Sequence, residues 1–479
     1  MDLKTLMAGV YSGPLPGDLG TREVKGVVCD SRQVAPGTLF VAVSGRRGTG
    51  EDYAAQALAR GALAVVSERS EGPGPRLTVP DAGWVLRRVT RRLYGRHRGA
   101  VKVIGVTGTN GKTTVTHLLE AIFEHTANPC GVIGTIEHRT GREVYSPRNT
   151  TPGYVTTHRL LAEMAEAGRT YALVEVSSHA LDQGRVRDID FRQAVFTNLT
   201  DEHLDYHGSR QAYFEAKARL FRGLSRQAVA VLNADDPWSP RLAERTRARV
   251  RYYGVEAEAD LRAEVLEETI DGMRLAVRLK SGQRVETRAS LIGRHNQANI
   301  LAALAAALEE GVDLVDAARA VETFAGVPGR LERVSLPSGP RVLIDYAHTP
   351  DALAAVLRTL RPLVKGRLIL VFGCGGDRDP SKRPVMGRLA GQWADVTFIT
   401  SDNPRTEDPR GIIDAIRKGF QGKDGRVIED RARAIAAAIR EAGADDTVLL
   451  AGKGHERYQI VGTQRRCFDE REIVRRCLA

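Results

Sequence analysis

Apolar runs long enough for a buried strand, each closed by glycine or a polar cluster, recur along the chain from residue 101 onward. VKVIGV at 101–106 is followed by YALVEV at 171–176, AVFTNL at 194–199 and AVAVLN at 228–233. ILAALAAALEEG at 300–311 has the length and composition of a helix and ends at Gly311. A second series follows, with RVLIDYA (341–347), RLILVFG (367–373), VTFIT (396–400) and TVLLAG (447–452) separated by helical patterns. Such strands, spaced by helices, predict parallel sheets covered on both faces. The segment before 100 carries shorter strands and helices, with SEGPGP (70–75) as a loop and LYGRHRG (93–99) as a polar link. GVPGRLE at 326–332 is rich in turn formers and marks a hinge. The expectation is an α/β chain of three domains, at 1–99, 100–329 and 330–479.

Composition changes this picture little. The 479 residues are 42% hydrophobic and 27% charged, as in ordinary globular proteins, and exceed what one core supports. No apolar stretch approaches the ~18 residues of a membrane span, and the start lacks the pattern of an export signal. The five cysteines (Cys29, Cys130, Cys374, Cys467, Cys477) are scattered without C-x-x-C, which predicts a reducing, cytoplasmic setting. The net charge of +11 fits either an arginine-rich surface or attraction to anionic ligands such as nucleotides. With no basic tail and no aromatic–basic pattern, nucleic-acid binding is not expected.

The chemistry sits where strands end. VIGVTGTNGKTTVTHLLEAIF (103–123) reads as strand, glycine turn and helix. In its core, Gly108, Thr109, Asn110, Gly111, Lys112, Thr113 and Thr114, glycines let backbone N–H groups curl around phosphate. Lys112 is placed for terminal phosphates and the Thr113 hydroxyl for Mg²⁺, although the spacing is G-x-x-G-K-T and shorter than the usual loop. Glu175 ends a second strand, where acidic groups hold metal in P-loop enzymes. NLTDEHLDYHG (198–208) gathers Asp201, Glu202, His203, Asp205 and His207 without a zinc spacing, so magnesium suits it better. In the last domain GCGGDRD, SDNPRTEDP and GKGHE all follow strands and should share one rim of a parallel sheet.

Taken with EVSSHAL, YFEAKARLF, GRHNQANILAA, DYAHTPD and GCGGDRDPSKRPVMG, these motifs resemble the Mur ligase family, ATP-dependent amide-forming enzymes of peptidoglycan precursor synthesis. The likeness runs from about residue 25 to 460 and is to the MurE type, which adds the third amino acid. It implies a central P-loop ATPase-like domain, a C-terminal Rossmann-like domain and an acyl-phosphate mechanism. The expected substrates are ATP, UDP-N-acetylmuramoyl-L-alanyl-D-glutamate and meso-diaminopimelate, handled by a cytoplasmic monomer. Residue by residue, the resemblance puts Lys112, Glu175, His203 and Lys217 in catalysis, with Thr113, Glu175, His203 and a CO₂-derived carbamate on Lys217 around Mg²⁺. Gly108 to Thr114, Asn296, Asn299, Arg330 and Asp345 are the implied ATP contacts. Ser31, Asn149, Thr150, Thr151, Ser177, Gln183 and Arg185 map to the muramyl dipeptide. Arg378, Asp402, Asn403, Pro404, Arg405, Gly452 and Glu456 map to diaminopimelate, whose far carboxylate Arg405 would grip through two N–H donors.

Two departures touch the nucleotide-sugar contacts. VSGRRGTGEDY (43–53) lacks the Asp-Gly-His of the family, and NTTPGY has Gly153 where an acid is usual. Plainer roles exist for two residues: Lys217 as an ordinary helix lysine, and Arg405 in a salt bridge to Glu407 or Asp408. The competing functions are a folylpolyglutamate synthetase, which shares GTNGK, and a P-loop protein that binds nucleotide without ligating.

Overall fold

The computed structural model describes residues 1–45, 48–200, 202–334 and 339–477. The chain forms two compact units, each entered more than once: 1–112, 127–230 and 240–250 in the first, and 113–126, 231–239 and 251–479 in the second.

In the first unit, strands Gly26–Val28, Thr38–Val41, Ala64–Ser67 and Arg76–Thr78 make a parallel sheet in that order. Helix Ala82–Tyr94 packs on it through Val85, Leu86 and Val89, and the Asp81 carboxylate caps it by accepting the Trp84 N–H at 2.7 Å. In the unit's larger sheet, Lys102–Thr107 lies between Tyr171–Glu175 and Phe191–Phe196, all parallel. The register pairs Glu175 with Val106 and Phe196 with Thr107. The glycine turn, the strand-end carboxylate and the segment after Phe196 therefore emerge at one edge.

In the second unit the expected all-parallel pattern is broken. Leu261–Thr269, Gly272–Leu279 and Arg284–Ala289 form an antiparallel meander. Ile270-Asp271 turns its first hairpin, with Gly272 at φ 141° opening the next strand opposite Thr269, and Lys280-Ser281-Gly282 turns the second. These short turns, flanked by half-polar strands, are what a search for buried runs passes over. Helix Arg294–Leu308 begins six residues before the expected start at 300, because buried Asn296, Gln297 and Asn299 interrupt the apolar run without interrupting the helix.

The C-terminal sheet has the order Glu332–Val334, Arg341–Asp345, Thr447–Ala451, Leu368–Phe372, Val396–Ile399, Gly425–Val427. It is parallel except for the first strand. Leu343, Leu370 and Leu449 enter one core, while Val342, Ile344, Ile369, Val371, Val448 and Leu450 enter another. Alternate residues of these strands thus feed opposite faces, which is why the runs are apolar throughout.

Candidate active site

The glycine turn is stitched to the segment after Phe196. Thr109 N–H donates to Asn198 O at 2.8 Å, Asn110 N–H to Asn198 Oδ1 at 3.0 Å, and the Thr197 hydroxyl to Asn110 O at 2.5 Å. Gly108 is required: at φ 154°, a Cβ there would lie 1.9 Å from Thr197 Oγ1. Lys112 does not extend away from the turn. Its ammonium donates to Gly108 O at 2.9 Å and Thr109 O at 2.7 Å. Thr113 and Thr114 are buried in the first turn of helix Lys112–His125.

Helix Arg210–Arg222 brings a second lysine to the same carbonyl. Lys217 is 1% exposed and donates to Gly108 O at 2.8 Å. Its ammonium lies 4.4 Å from the centre of the Tyr213 ring, and the Tyr213 hydroxyl lies 3.2 Å from Thr109 Oγ1. Burial, and then the charge of Lys112, push the Lys217 pKa well below that of an ordinary lysine. His179, His203, Tyr206 and His207 cluster beside it, with ring centres 4.7 Å apart for His179–His203 and 4.1 Å for His179–Tyr206. Burial lowers all three imidazoles, His179 to about 4, so they are neutral at pH 7. His203 holds a left-handed backbone at φ 57°. Asp201 lies outside the described residues, and among those described no three His, Cys, Asp or Glu side chains are grouped to hold a metal.

Glu175 is held from two sides by Thr135, whose N–H and hydroxyl each donate to one carboxylate oxygen at 2.9 Å. The Thr135 hydroxyl is 3.1 Å from that of Thr150, and the Thr151 hydroxyl donates to Glu175 O at 2.7 Å. Ser177 N–H returns to Thr151 Oγ1 at 3.1 Å. Arg185 donates to Thr151 O at 2.8 Å and to Gln183 Oε1 at 2.7 Å. The structure thus joins Glu175 with Thr150, Thr151, Ser177, Gln183 and Arg185. Asn149 is exposed beside this network, while Ser31 is buried elsewhere in the unit and donates to Gln56 Oε1 at 2.7 Å.

In the second unit, the three C-terminal loops do meet. Arg405, at φ 52°, donates through Nη1 to Gly376 O at 2.6 Å, which joins SDNPRTEDP to GCGGDRD. The salt bridge weighed for it is not formed: Glu407 pairs with Arg383 at 2.8 Å, and Asp408 caps helix Pro409–Arg417. Asp402, Asn403 and Pro404 are buried, and Asn403 Nδ2 donates to Glu456 Oε2 at 2.9 Å. The packing explains Gly452, where at φ 116° a Cβ would meet Asp402 Oδ2 at 2.7 Å. Arg378 is exposed and donates to Asp377 O at 3.2 Å.

Three models match: Mur ligase family, catalytic domain, over residues 23–80; Mur ligase middle domain over 106–307; and Mur ligase, glutamate ligase domain over 329–454. This chain belongs to the Mur ligase family. It is 46% identical to the UDP-N-acetylmuramoyl-L-alanyl-D-glutamate–2,6-diaminopimelate ligase of Gloeobacter violaceus, over 95% of this chain and 94% of that one. Its identity to the ligase of the same name from Halalkalibacterium halodurans is 44%, over 96% and 95%. A solved structure of a UDP-N-acetylmuramoyl-L-alanyl-D-glutamate–2,6-diaminopimelate ligase superposes with TM-score 0.67 at 34% identity, covering 100% of this chain and 98% of that one. The three-domain Mur ligase architecture follows.

Within that architecture the remaining nucleotide-contact candidates have structural partners. Asp345 accepts Leu331 N–H and Ala347 N–H, each at 2.8 Å, and Arg330 lies 5.1 Å from the Tyr346 ring centre. Burial raises the Asp345 pKa against the opposing pull of Arg330. Asn296 donates to Ile292 O at 2.8 Å and accepts from Asn299 at 3.1 Å. Sequence reasoning missed Thr135, Tyr213 and Lys453. The first two look like any threonine or tyrosine until folding sets them against Glu175 and Lys217. Lys453 stood inside GKGHE, but nothing in that motif says which of its residues is buried.

Proposed function

We propose that this Mur ligase joins meso-2,6-diaminopimelate to UDP-N-acetylmuramoyl-L-alanyl-D-glutamate, forming an amide with conversion of ATP to ADP and phosphate. The observation that carries the amino-acid choice is the C-terminal rim, where Arg405 is held by Gly376 O while the nearby carboxylate Glu407 is engaged by Arg383. Its guanidinium is therefore left with donors for a carboxylate, which diaminopimelate has at its far end and lysine lacks. Asp402, Asn403, Glu456 and exposed Arg378 complete this assignment, with Pro404 and Gly452 shaping the backbone.

In the reaction, the D-Glu carboxylate attacks the γ-phosphorus of ATP to give an acyl phosphate and ADP. The amine of the incoming residue then attacks the acyl carbon, and phosphate departs from the tetrahedral intermediate. Lys112 and the backbone from Gly108 to Thr114 hold the ATP phosphates, so Lys112 must trade its two loop carbonyls for phosphate oxygens. Thr150, Thr151, Ser177, Gln183 and Arg185 position the dipeptide, with Ser31 and Asn149 toward the sugar nucleotide. Asn296, Arg330 and Asp345 contribute nucleotide contacts from their own unit, and His203 steadies the phosphate region. The domain divisions at 99/100 and 329/330 belong to the same reading.

Hard oxygen ligands of the kind magnesium takes are offered by the buried Glu175 carboxylate and, separately, by the buried Thr113 hydroxyl. Mg²⁺ held by such ligands would neutralise phosphate charge. Lys217 as an amine is no ligand for it. Two lysine nitrogens converge on Gly108 O, and burial together with the charge of Lys112 pushes Lys217 toward the neutral amine that adds to CO₂. N–C bond formation with loss of one proton leaves a carbamate, an anionic oxygen pair among hard donors. A monomer in the cytoplasm, where ATP is supplied, fits this chemistry, and among the described residues no helix is long and apolar enough to cross a membrane.

The test is ADP release by the purified chain. It should require both the UDP-muramyl dipeptide and an amino acid, with meso-diaminopimelate far better than L-lysine. Release that depends on neither, or equal use of the two amino acids, would overturn the reading.

A further inference from the structure

Lys453 follows the strand Thr447–Ala451 and its side chain is 0% exposed. Its ammonium donates to Asn403 Oδ1 at 3.0 Å and stands 3.5 Å from Glu456 Oε2 and 3.9 Å from Asp402 Oδ1. The ring centres of Phe468 and Tyr458 lie 5.8 and 6.0 Å away. Asn403 Oδ1 also accepts Ile460 N–H, at 2.9 Å. With two donors on its oxygen the amide can face only one way, since the flipped form would set NH₂ against an ammonium and an N–H. Its own NH₂ is thereby turned to Glu456 Oε2 at 2.9 Å. Tyr458 OH meets the other oxygen of Glu456 at 3.4 Å.

We propose that Lys453 is the positioning residue of the amino-acid pocket. Its buried ammonium fixes the Asn403 amide and the Glu456 carboxylate in the orientation in which they meet the charged end of the incoming diamino acid. The proposal rests on the reading of this rim as the diaminopimelate site. Lys453 acts through its neighbours, because its side chain is 0% exposed and its ammonium faces the amide and carboxylates of Asn403, Glu456 and Asp402. Removing it leaves Asp402 and Glu456 without their nearest buried cation and lets the Asn403 amide turn over.

The test is steady-state kinetics on the full-length enzyme for each substrate in turn. Lys453→Met should raise KM for diaminopimelate by ~30-fold or more, with KM for ATP and for the UDP-muramyl dipeptide changed by less than ~3-fold. Lys453→Gln, which keeps a donor toward Asn403, should recover part of the loss. If Lys453 works through Asn403, adding Asn403→Ala to Lys453→Met should raise KM little beyond the larger single effect. Unchanged KM for diaminopimelate in a folded variant, or fully multiplicative effects in the double variant, overturns the proposal. Should Lys453→Met fail to fold, the substrate-by-substrate comparison on Lys453→Gln decides it in the same way. Wild-type enzyme that ligates no diaminopimelate overturns the underlying assignment, whereas normal wild-type ligation beside an indifferent Lys453 variant overturns this proposal alone.

Discussion

Two lysines are buried almost completely, Lys217 at 1% exposed and Lys453 at 0%, and their surroundings are opposite. Lys217 meets a backbone carbonyl, an aromatic face and the field of a second cation, Lys112. Lys453 meets an amide oxygen and two carboxylates. Burial alone therefore does not say what a lysine is for. Where desolvation and a like charge act together, the neutral amine is favoured and the side chain is disposed to react. Where acidic partners surround the ammonium, it is an internal counter-ion whose work is to hold other side chains still.

The sharpest way to break this contrast is to remove each cation at the phosphate end. Lys112→Ala should cost ~10²–10³-fold or more in turnover, because phosphate charge then goes uncompensated. Near-normal turnover in a folded variant would dismiss the phosphate-loop assignment. Lys217→Ala should be comparably inactive and, unlike Lys112→Ala, should regain activity when formate or acetate is added. Lack of any rescue would separate Lys217 from the anion role.

At the other end, Arg405→Ala should raise KM for diaminopimelate by ~30-fold to several thousand-fold, in line with roughly 2–5 kcal/mol for a desolvated charge contact. Its KM for ATP should stay as in the wild type and its poor use of lysine should change far less. A variant indifferent to diaminopimelate would empty the rim of its assigned role.

Stability should divide the two lysines by sign. Lys453→Met should destabilise the fold by roughly 3–5 kcal/mol, since it strips buried carboxylates of their partner. Lys217→Met, compared in CO₂-free buffer at pH 7, should be neutral or stabilising, because an amine that is costly to bury has gone. The folded pKa of Lys217 lies below its unfolded value, so wild-type stability should be full above about pH 10.5 and decline as pH falls from there toward the folded pKa. Lys217→Met should lack that slope. Denaturant melts across pH would show it, and parallel slopes would refute the assignment.

The smallest effect concerns buried imidazoles rather than lysines. His97 Nε2 and His158 Nδ1 lie 3.1 Å apart, and burial lowers His97 to about 4 from an ordinary 6.5. The His97 contribution is full above about pH 6.5 and is lost as pH falls through about 4, a loss of about 3 kcal/mol before solvent screening lowers it. His97→Phe should flatten the acid limb of the stability profile; an unchanged limb would exclude the pair as its source.

Much of this protein was legible in the order of its residues. A strand buried on both faces must be apolar throughout, so runs such as 341–347, 367–373 and 447–452 announced themselves, and Arg341–Asp345, Leu368–Phe372 and Thr447–Ala451 are the strands found there. Gly108 was legible from its motif, but what makes glycine necessary there is tertiary, because at φ 154° a Cβ would meet Thr197 Oγ1 at 1.9 Å. The meander at 261–289 escaped because its strands are half polar and its turns, Ile270-Asp271 and Lys280 to Gly282, are only two and three residues long. What only tertiary structure decided is which polar side chains share a site and in what charge state. Thr135 comes to Glu175 across 40 residues, Lys217 to Gly108 across 109, and Lys453 to Asn403 across 50. Sequence states the identity of each donor and acceptor, but its charge and orientation depend on desolvation and on neighbours within a few ångströms, and those are set by how strands and helices from distant parts of the chain pack.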